Sequence, residues 1–331
     1  MILNPAIIAL IGGGILVCAF AVYAAANGIL ILRHWDLASG SDRQLGLERK
    51  TYLISTIFSY LLAFEFFGLF LFVYTTDHIH DLFVGAMCAA GTLKVNDYGY
   101  VTLVVKMAAF ASCGIWMIVN HTDSKGYDYP LIRSKYKFLL PITGILLLEN
   151  FLQYRYFTGL RADVITSCCG VLFSVDAENV AGGMAALPAY GTQISFFLSI
   201  ALSMRTGAHF LLTGRGVKLF SLLVSGTMIL SLVAVVSFIS VYYYELPTHH
   251  CPFCLLQKEY HYIGYPLYLT IFLGGIAGAG SGILQRVNGA ASLKEAIPSI
   301  QRRLCVVSMT AFAGLAVIAL YPMIFSDFIL E

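Results

Sequence analysis

The chain alternates between long apolar runs and short polar connections, and the runs set the fold. Eight stretches, at about 5–32, 51–75, 98–120, 138–158, 187–212, 218–243, 264–285 and 304–326, each reach the roughly 20 mainly apolar residues that a bilayer-crossing helix needs. The last three are apolar through their interiors, whereas spans two to five carry Glu65, Lys106, Glu149 and Arg205. The opening MILNP has no basic lead and runs into an apolar stretch too long for a signal-peptide core, which predicts a retained first span. The pattern therefore predicts an all-α, polytopic integral membrane helix bundle of about eight transmembrane helices, forming a single membrane domain over 1–331.

Composition excludes the alternatives. Hydrophobic residues make up 59% of the chain and charged residues 11%, too few to cover a soluble globule. A cytosolic enzyme, a nucleic-acid binder and a disordered chain are excluded, and the lipid bilayer is the first partner. The charges that remain are unevenly placed. Fourteen Lys and Arg fall in the odd-numbered loops, from Arg33 to Arg303, and only Lys94, Arg155, Arg161 and Lys258 in the even-numbered ones. Because short cytoplasmic loops collect Lys and Arg, this predicts both termini on the outer side of a plasma (cytoplasmic or inner) membrane.

On that map the cysteines sort into two groups. Cys18, Cys113 and Cys305 fall within or at the end of spans, as small apolar packing residues do. Cys88, Cys168, Cys169, Cys251 and Cys254 all fall in outward loops, where an oxidising environment favours disulfides or metal binding. The three cysteine loops share a layout: Cys88 precedes Gly99-Tyr100, Cys254 precedes Gly264-Tyr265, and Cys168-Cys169 precede Tyr190-Gly191 after a longer insertion. This predicts related helical hairpins at 51–120, 138–212 and 218–285, with each aromatic–glycine pair opening the returning helix.

The sharpest motif is Cys251-Pro-Phe-Cys254. A C-x-x-C pair closes a small ring, so its disulfide forms and opens readily, and His249 and His250 stand next to it for proton transfer. A permanent structural disulfide and a pair of metal ligands fit the same spacing. The segment Cys251-Pro-Phe-Cys254-Leu-Leu-Gln257-Lys258, followed by Tyr265-Pro266-Leu267, resembles the C-x-L-C-x-x-Q-R…Y-P-L segment of the quinone-linked disulfide-forming membrane proteins of the DsbB type, whose broader plan vitamin K epoxide reductases share. The resemblance spans residues 249–268. It implies a quinone-dependent thiol–disulfide oxidoreductase with Cys251 and Cys254 as the quinone-proximal pair. Gln257, Lys258 (where the family has arginine) and Tyr265 would stand beside the quinone, and a thioredoxin-fold protein would be the outer redox partner. The vicinal Cys168 and Cys169 suit exchange with other thiols, giving a relay from Cys88 through Cys168 or Cys169 to Cys251–Cys254.

Metal is the competing chemistry. Met87, Cys88, Cys168, Cys169, His249, His250, Cys251 and Cys254 are soft sulfur and imidazole donors suited to copper or zinc, with His249, His250, Cys251 and Cys254 the densest set. Haem is disfavoured, because His34, His121 and His209 stand at the inner ends of different spans. A third reading is a non-catalytic subunit that anchors other membrane subunits in a respiratory or transport complex. Within the bilayer, Glu65, Glu149 and Lys106 lie near mid-depth and form either a structural ion pair or a proton path. Gly274, Gly278 and Gly282 form a small-residue stripe for close helix contact, as do Gly12 to Gly14. Residues 291–303 read as a short amphipathic helix on the inner surface.

Overall fold

A computed structural model describes residues 2–166, 173, 180–286, 291–328 and 330. Each of the eight apolar runs becomes one long helix: α1 Pro5–His34, α2 Asp42–His78, α3 Tyr98–Asp123, α4 Ile132–Thr158, α5 Ala189–Thr213, α6 Val217–Tyr244, α7 Gly264–Arg286 and α8 Ala296–Phe325. No strand occurs among the described residues. Seven of the eight are long and apolar enough to cross a membrane; α4 has the length, but its hydropathy falls short. Arg133, Lys135, Lys137, Glu149 and Arg155 are the cause. The protein is a multi-pass membrane helix bundle in contact with lipid.

Helix ends follow hydrogen bonding rather than hydropathy. Asn4 caps α1 by accepting from the Ala6 N–H at 2.9 Å, with Pro5 in the first turn, where its missing N–H costs nothing. The 37 residues of α2 extend about 55 Å at 1.5 Å per residue, well beyond a hydrocarbon core of about 30 Å. Its polar first turns, with Arg43, Glu48, Arg49 and Lys50, continue the same ladder, so the helix starts nine residues before the apolar run expected at 51. The expected amphipathic helix at 291–303 is not separate. A short turn at Ala291–Leu293 leads into α8, whose first turns contain the rest of that segment.

The chain divides into two compact units. The first comprises Met1–Thr75, Asn96–Leu160 and Val287–Ile297, with the bulk of α1 to α4. Its core interleaves Val17, Ala21, Phe58, Leu62, Cys113, Trp116, Tyr136, Leu139 and Leu146 from all four helices. Of the N-terminal glycines, Gly13 lies against Phe64 and Gly14 against Asn150, whereas Gly12 faces open space. A second buried ion pair escaped the sequence reading. Lys135, counted there with the inward loop charges, lies in the first turn of α4 at 2% exposure. Its Nζ donates to Asp123 Oδ2 at 2.6 Å and Ser55 Oγ at 3.0 Å, while Asp123 Oδ1 accepts the Leu131 N–H at 2.9 Å.

The second unit comprises Thr76–Val95, Arg161–Arg286 and Pro298–Glu331. Helix α7 is its axis, and the predicted glycine stripe does the packing. Gly278 lies against Val224, Gly282 against Ser221 and Gly275 against Met228, all on α6, while Gly274 lies against Phe312 of α8. Ser308 Oγ donates to the Gly274 carbonyl at 2.8 Å, and Ser221 Oγ to that of Ala279 at 3.3 Å. Cys305 is buried in this packing, as Cys113 is in the first unit, and Cys18 is half-buried. All three are packing residues, as expected.

The Lys135–Asp123 pair gives a direct test. Lys135→Met leaves the Asp123 carboxylate buried beside an apolar side chain and should destabilise the protein by about 3–5 kcal/mol. Lys135→Met with Asp123→Asn should recover most of that loss in equilibrium unfolding from mixed micelles.

Candidate functional site

Three of the five cysteines expected in outward loops meet in the second unit. The ligand atoms of Cys88, Cys251 and Cys254 all lie within 4.8 Å of one another. Cys88 Sγ stands 3.7 Å from Cys251 Sγ across a sequence separation of 163 residues. Exposure is 0% for Cys88 and Cys251 and 6% for Cys254. No sulfur–sulfur bond joins them. Among the described residues this is the sole cluster of metal-ligating side chains, and it contains neither His249 nor His250. Cys168 and Cys169 lie outside the described residues, so the step expected through them has no geometry here; Cys88 touches Cys251 directly.

The Cys251–Cys254 loop is held from both sides by aromatic hydroxyls. Tyr244, in the last turn of α6, donates to the Cys251 carbonyl at 2.5 Å, and Tyr268 of α7 donates to that of Pro252 at 2.8 Å. The loop opens and closes on left-handed backbone at non-glycine residues, Glu245 before it and His261 and Tyr262 after it, each costing about 1 kcal/mol or more. Packing must hold these conformations. The Tyr244 ring packs against those of His249 and Tyr260, each at 4.6 Å.

A π-turn at Val235–Ile239 interrupts α6. The carbonyl of Val236, within that turn, accepts from Nδ1 of the buried His250 at 3.0 Å. Nδ1 must therefore carry the proton in the neutral ring, leaving Nε2 as the acceptor nitrogen. His250 thus anchors the segment leading into Cys251.

Cys88 is positioned by residues the sequence reading did not single out. It caps the short helix Ala89–Lys94 from an extended conformation. Asp77 Oδ1, in the last turn of α2, accepts the Ala89 N–H at 3.0 Å and the Gln257 side-chain amide at 3.2 Å. The Gln257 amide also donates to the Met87 carbonyl at 2.9 Å. Gln257 is therefore the tie between the two cysteine loops. Thr166 adds a third tie, with its N–H donating to the Val84 carbonyl and its hydroxyl to that of Gly91, each at 2.9 Å. Gly85 permits this approach: its φ is +87°, and a Cβ there would collide with the Thr166 carbonyl. An acidic residue closing an apolar helix beside a cysteine loop was the available signal for Asp77.

The remaining candidates divide. Lys258 is exposed and Tyr265 half-buried, its ring 6.3 Å from that of Tyr262. Met87 is 66% exposed. The aromatic–glycine pairs fall where expected, Gly99-Tyr100, Tyr190-Gly191 and Gly264-Tyr265 each in the first turn of α3, α5 and α7. A cavity of about 330 Å³ lined by Leu187, Pro188, Gly191, Thr192, Ser195, Leu230 and Val233 includes none of the cysteines. Glu65, Lys106 and Glu149 belong to the first unit. Lys106 Nζ meets Glu149 Oε1 at 2.5 Å with both side chains buried, and lies 5.5 Å from the centre of the Phe72 ring.

The Gln257 tie makes a measurable claim. Gln257→Ala should raise the alkylation rate of Cys88 by a small maleimide about tenfold, since losing a hydrogen bond to a charged group releases roughly 1.5 kcal/mol of restraint. An unchanged rate would mean that the tie does not hold Cys88 in place. No family model, curated protein or solved structure matches this chain.

Proposed function

We propose that this protein is a membrane thiol–disulfide oxidoreductase in which Cys88, Cys251 and Cys254 exchange one disulfide. The contact between Cys88 and Cys251 carries this reading: a third thiol stands within attacking distance of a C-x-x-C pair. In the exchange, the Cys88 thiolate attacks Cys251 of a Cys251–Cys254 disulfide. A Cys88–Cys251 bond forms, and Cys254 leaves as a thiolate that takes up a proton. A thiolate of the outer partner then attacks Cys88 of that bond, forming a disulfide with Cys88 and releasing Cys251 as a thiol. The resulting Cys251 and Cys254 dithiol gives two electrons and two protons to a quinone, which becomes the quinol while the Cys251–Cys254 disulfide re-forms.

The choice of a membrane quinone as electron acceptor rests on the resemblance of residues 249–268 to the DsbB type. Within that segment, Gln257 ties the loops together, leaving Lys258 and Tyr265 as the quinone-facing candidates. With the buried Lys135 set aside, Lys and Arg still fall thirteen to four toward the odd-numbered connections, which supports a site on the outer side of a plasma membrane. A thioredoxin-fold protein is the partner proposed there, with Cys168 and Cys169 in the path to it.

A metal centre is the second reading, favoured by the mutual distances. Thiolates bound to one ion at about 2.3 Å stand roughly 3.8 Å apart, close to the 3.7 Å between Cys88 and Cys251. Copper(I) or zinc fits a three-sulfur donor set.

Mass spectrometry of the purified protein under mild alkylation, with metal analysis on the same sample, separates the readings. Added quinone should join Cys251 to Cys254, and Cys254→Ser should instead trap a Cys88–Cys251 disulfide. Stoichiometric copper or zinc that is lost on Cys88→Ser would replace the exchange reading with the metal one. Absence of both disulfide and metal would leave a non-catalytic subunit of a larger membrane complex.

A further inference from the structure

Away from the thiol site, the first unit encloses an unbalanced set of charges. Glu65 of α2 is 6% exposed, Lys106 of α3 4% and Glu149 of α4 1%. Two carboxyl groups thus share one ammonium. The ammonium is committed to Glu149 Oε1 at 2.5 Å. The other oxygen of the same carboxylate, Oε2, is buried and accepts no hydrogen bond among the described residues. Glu65 is near enough to Glu149 for a hydrogen bond between their side chains. Among the described residues, the thiols of Cys18 from α1 and Cys113 from α3 also lie near the pair. Cys18 donates to the Leu146 carbonyl at 3.4 Å, and Cys113 is buried in the core. Neither brings a positive charge.

A fully ionised trio would bury one uncompensated negative charge in a low-dielectric interior, at a cost of several kcal/mol. One proton on the pair removes both defects: it cancels the excess charge, and it supplies the O–H that either carboxyl donates to the other. Two carboxyls that cannot both ionise hold a single proton between them.

We propose that Glu65 and Glu149 form an intramembrane proton-binding site carrying one exchangeable proton at neutral pH, with Lys106 as its fixed counter-charge. The ligand is the proton itself, and the site stands independently of the thiol chemistry.

The test is infrared spectroscopy of the full-length protein in lipid nanodiscs at neutral pH. The wild type should show the carbonyl stretch of a protonated carboxylic acid, shifted downward in D₂O. Glu65→Gln and Glu149→Gln should each abolish that band, because either leaves one carboxylate facing one ammonium, with no proton required. Thermal unfolding checks that each variant is folded; should Glu149→Gln fail, Glu65→Gln decides alone. A band that survives Glu65→Gln overturns the proposal. So does a wild type that lacks the band and is stabilised instead by sodium or potassium, which would make the occupant a metal cation.

Discussion

Hydrocarbon offers no hydrogen bonds, and this single constraint organises the molecule. Every polar group within the bilayer must find its partner in the protein. Helices settle the backbone, and serine and threonine hydroxyls fold back onto it: Thr75 donates to Leu71, Thr102 to Tyr98, Thr122 to Ile118 and Ser231 to Thr227. Charges are harder to place. Lys135 and Asp123 satisfy each other together with Ser55 and a backbone amide, so their pair is closed. Lys106 and Glu149 are paired in the same way, but with Glu65 beside them they are one charge out of balance.

The thiol cluster obeys the same rule by different means. A protonated thiol is nearly apolar, so three can be buried together at little cost. The polar work is done around them. Tyr244, Tyr268 and His250 restrain the backbone of the Cys251 loop, while Asp77, Gln257 and Thr166 restrain that of the Cys88 loop. Residues with full hydrogen-bonding capacity therefore ring a centre of weakly polar thiols. This arrangement holds sulfurs 163 residues apart in sequence at 3.7 Å.

Much of this was legible in the sequence, and the boundary of legibility is physical. Eight helices followed from eight apolar runs because span length is set by bilayer thickness alone. The glycine stripe on α7 was readable because residues four apart share one helix face. Helix starts were less so, since backbone hydrogen bonding carries α2 nine residues beyond its apolar stretch. The Lys135–Asp123 pair, only 12 residues apart, was hidden because both residues lie near span ends, where charges ordinarily belong to the loops. Cys88, Cys251 and Cys254 were each identified, yet their direct contact was not: Asp77 left a local signal, but its pairing with Gln257, 180 residues away, did not.

Charge also distinguishes the two chemistries open to the thiol cluster. Three thiolates around a copper(I) or zinc ion keep a net negative charge, and Cys88 and Cys251 are fully buried, with the nearby Lys258 turned to the exterior. Such a charge needs compensation from outside the cluster. A disulfide with a neighbouring thiol carries no charge in either resting partner, and it becomes an anion only while one sulfur attacks another. The burial that makes a metal–trithiolate costly is thus compatible with exchange. His250, with Nδ1 held by Val236, keeps Nε2 as the nitrogen able to take a proton. The balance of charge, more than the spacing of the sulfurs, favours disulfide exchange over a resident metal ion.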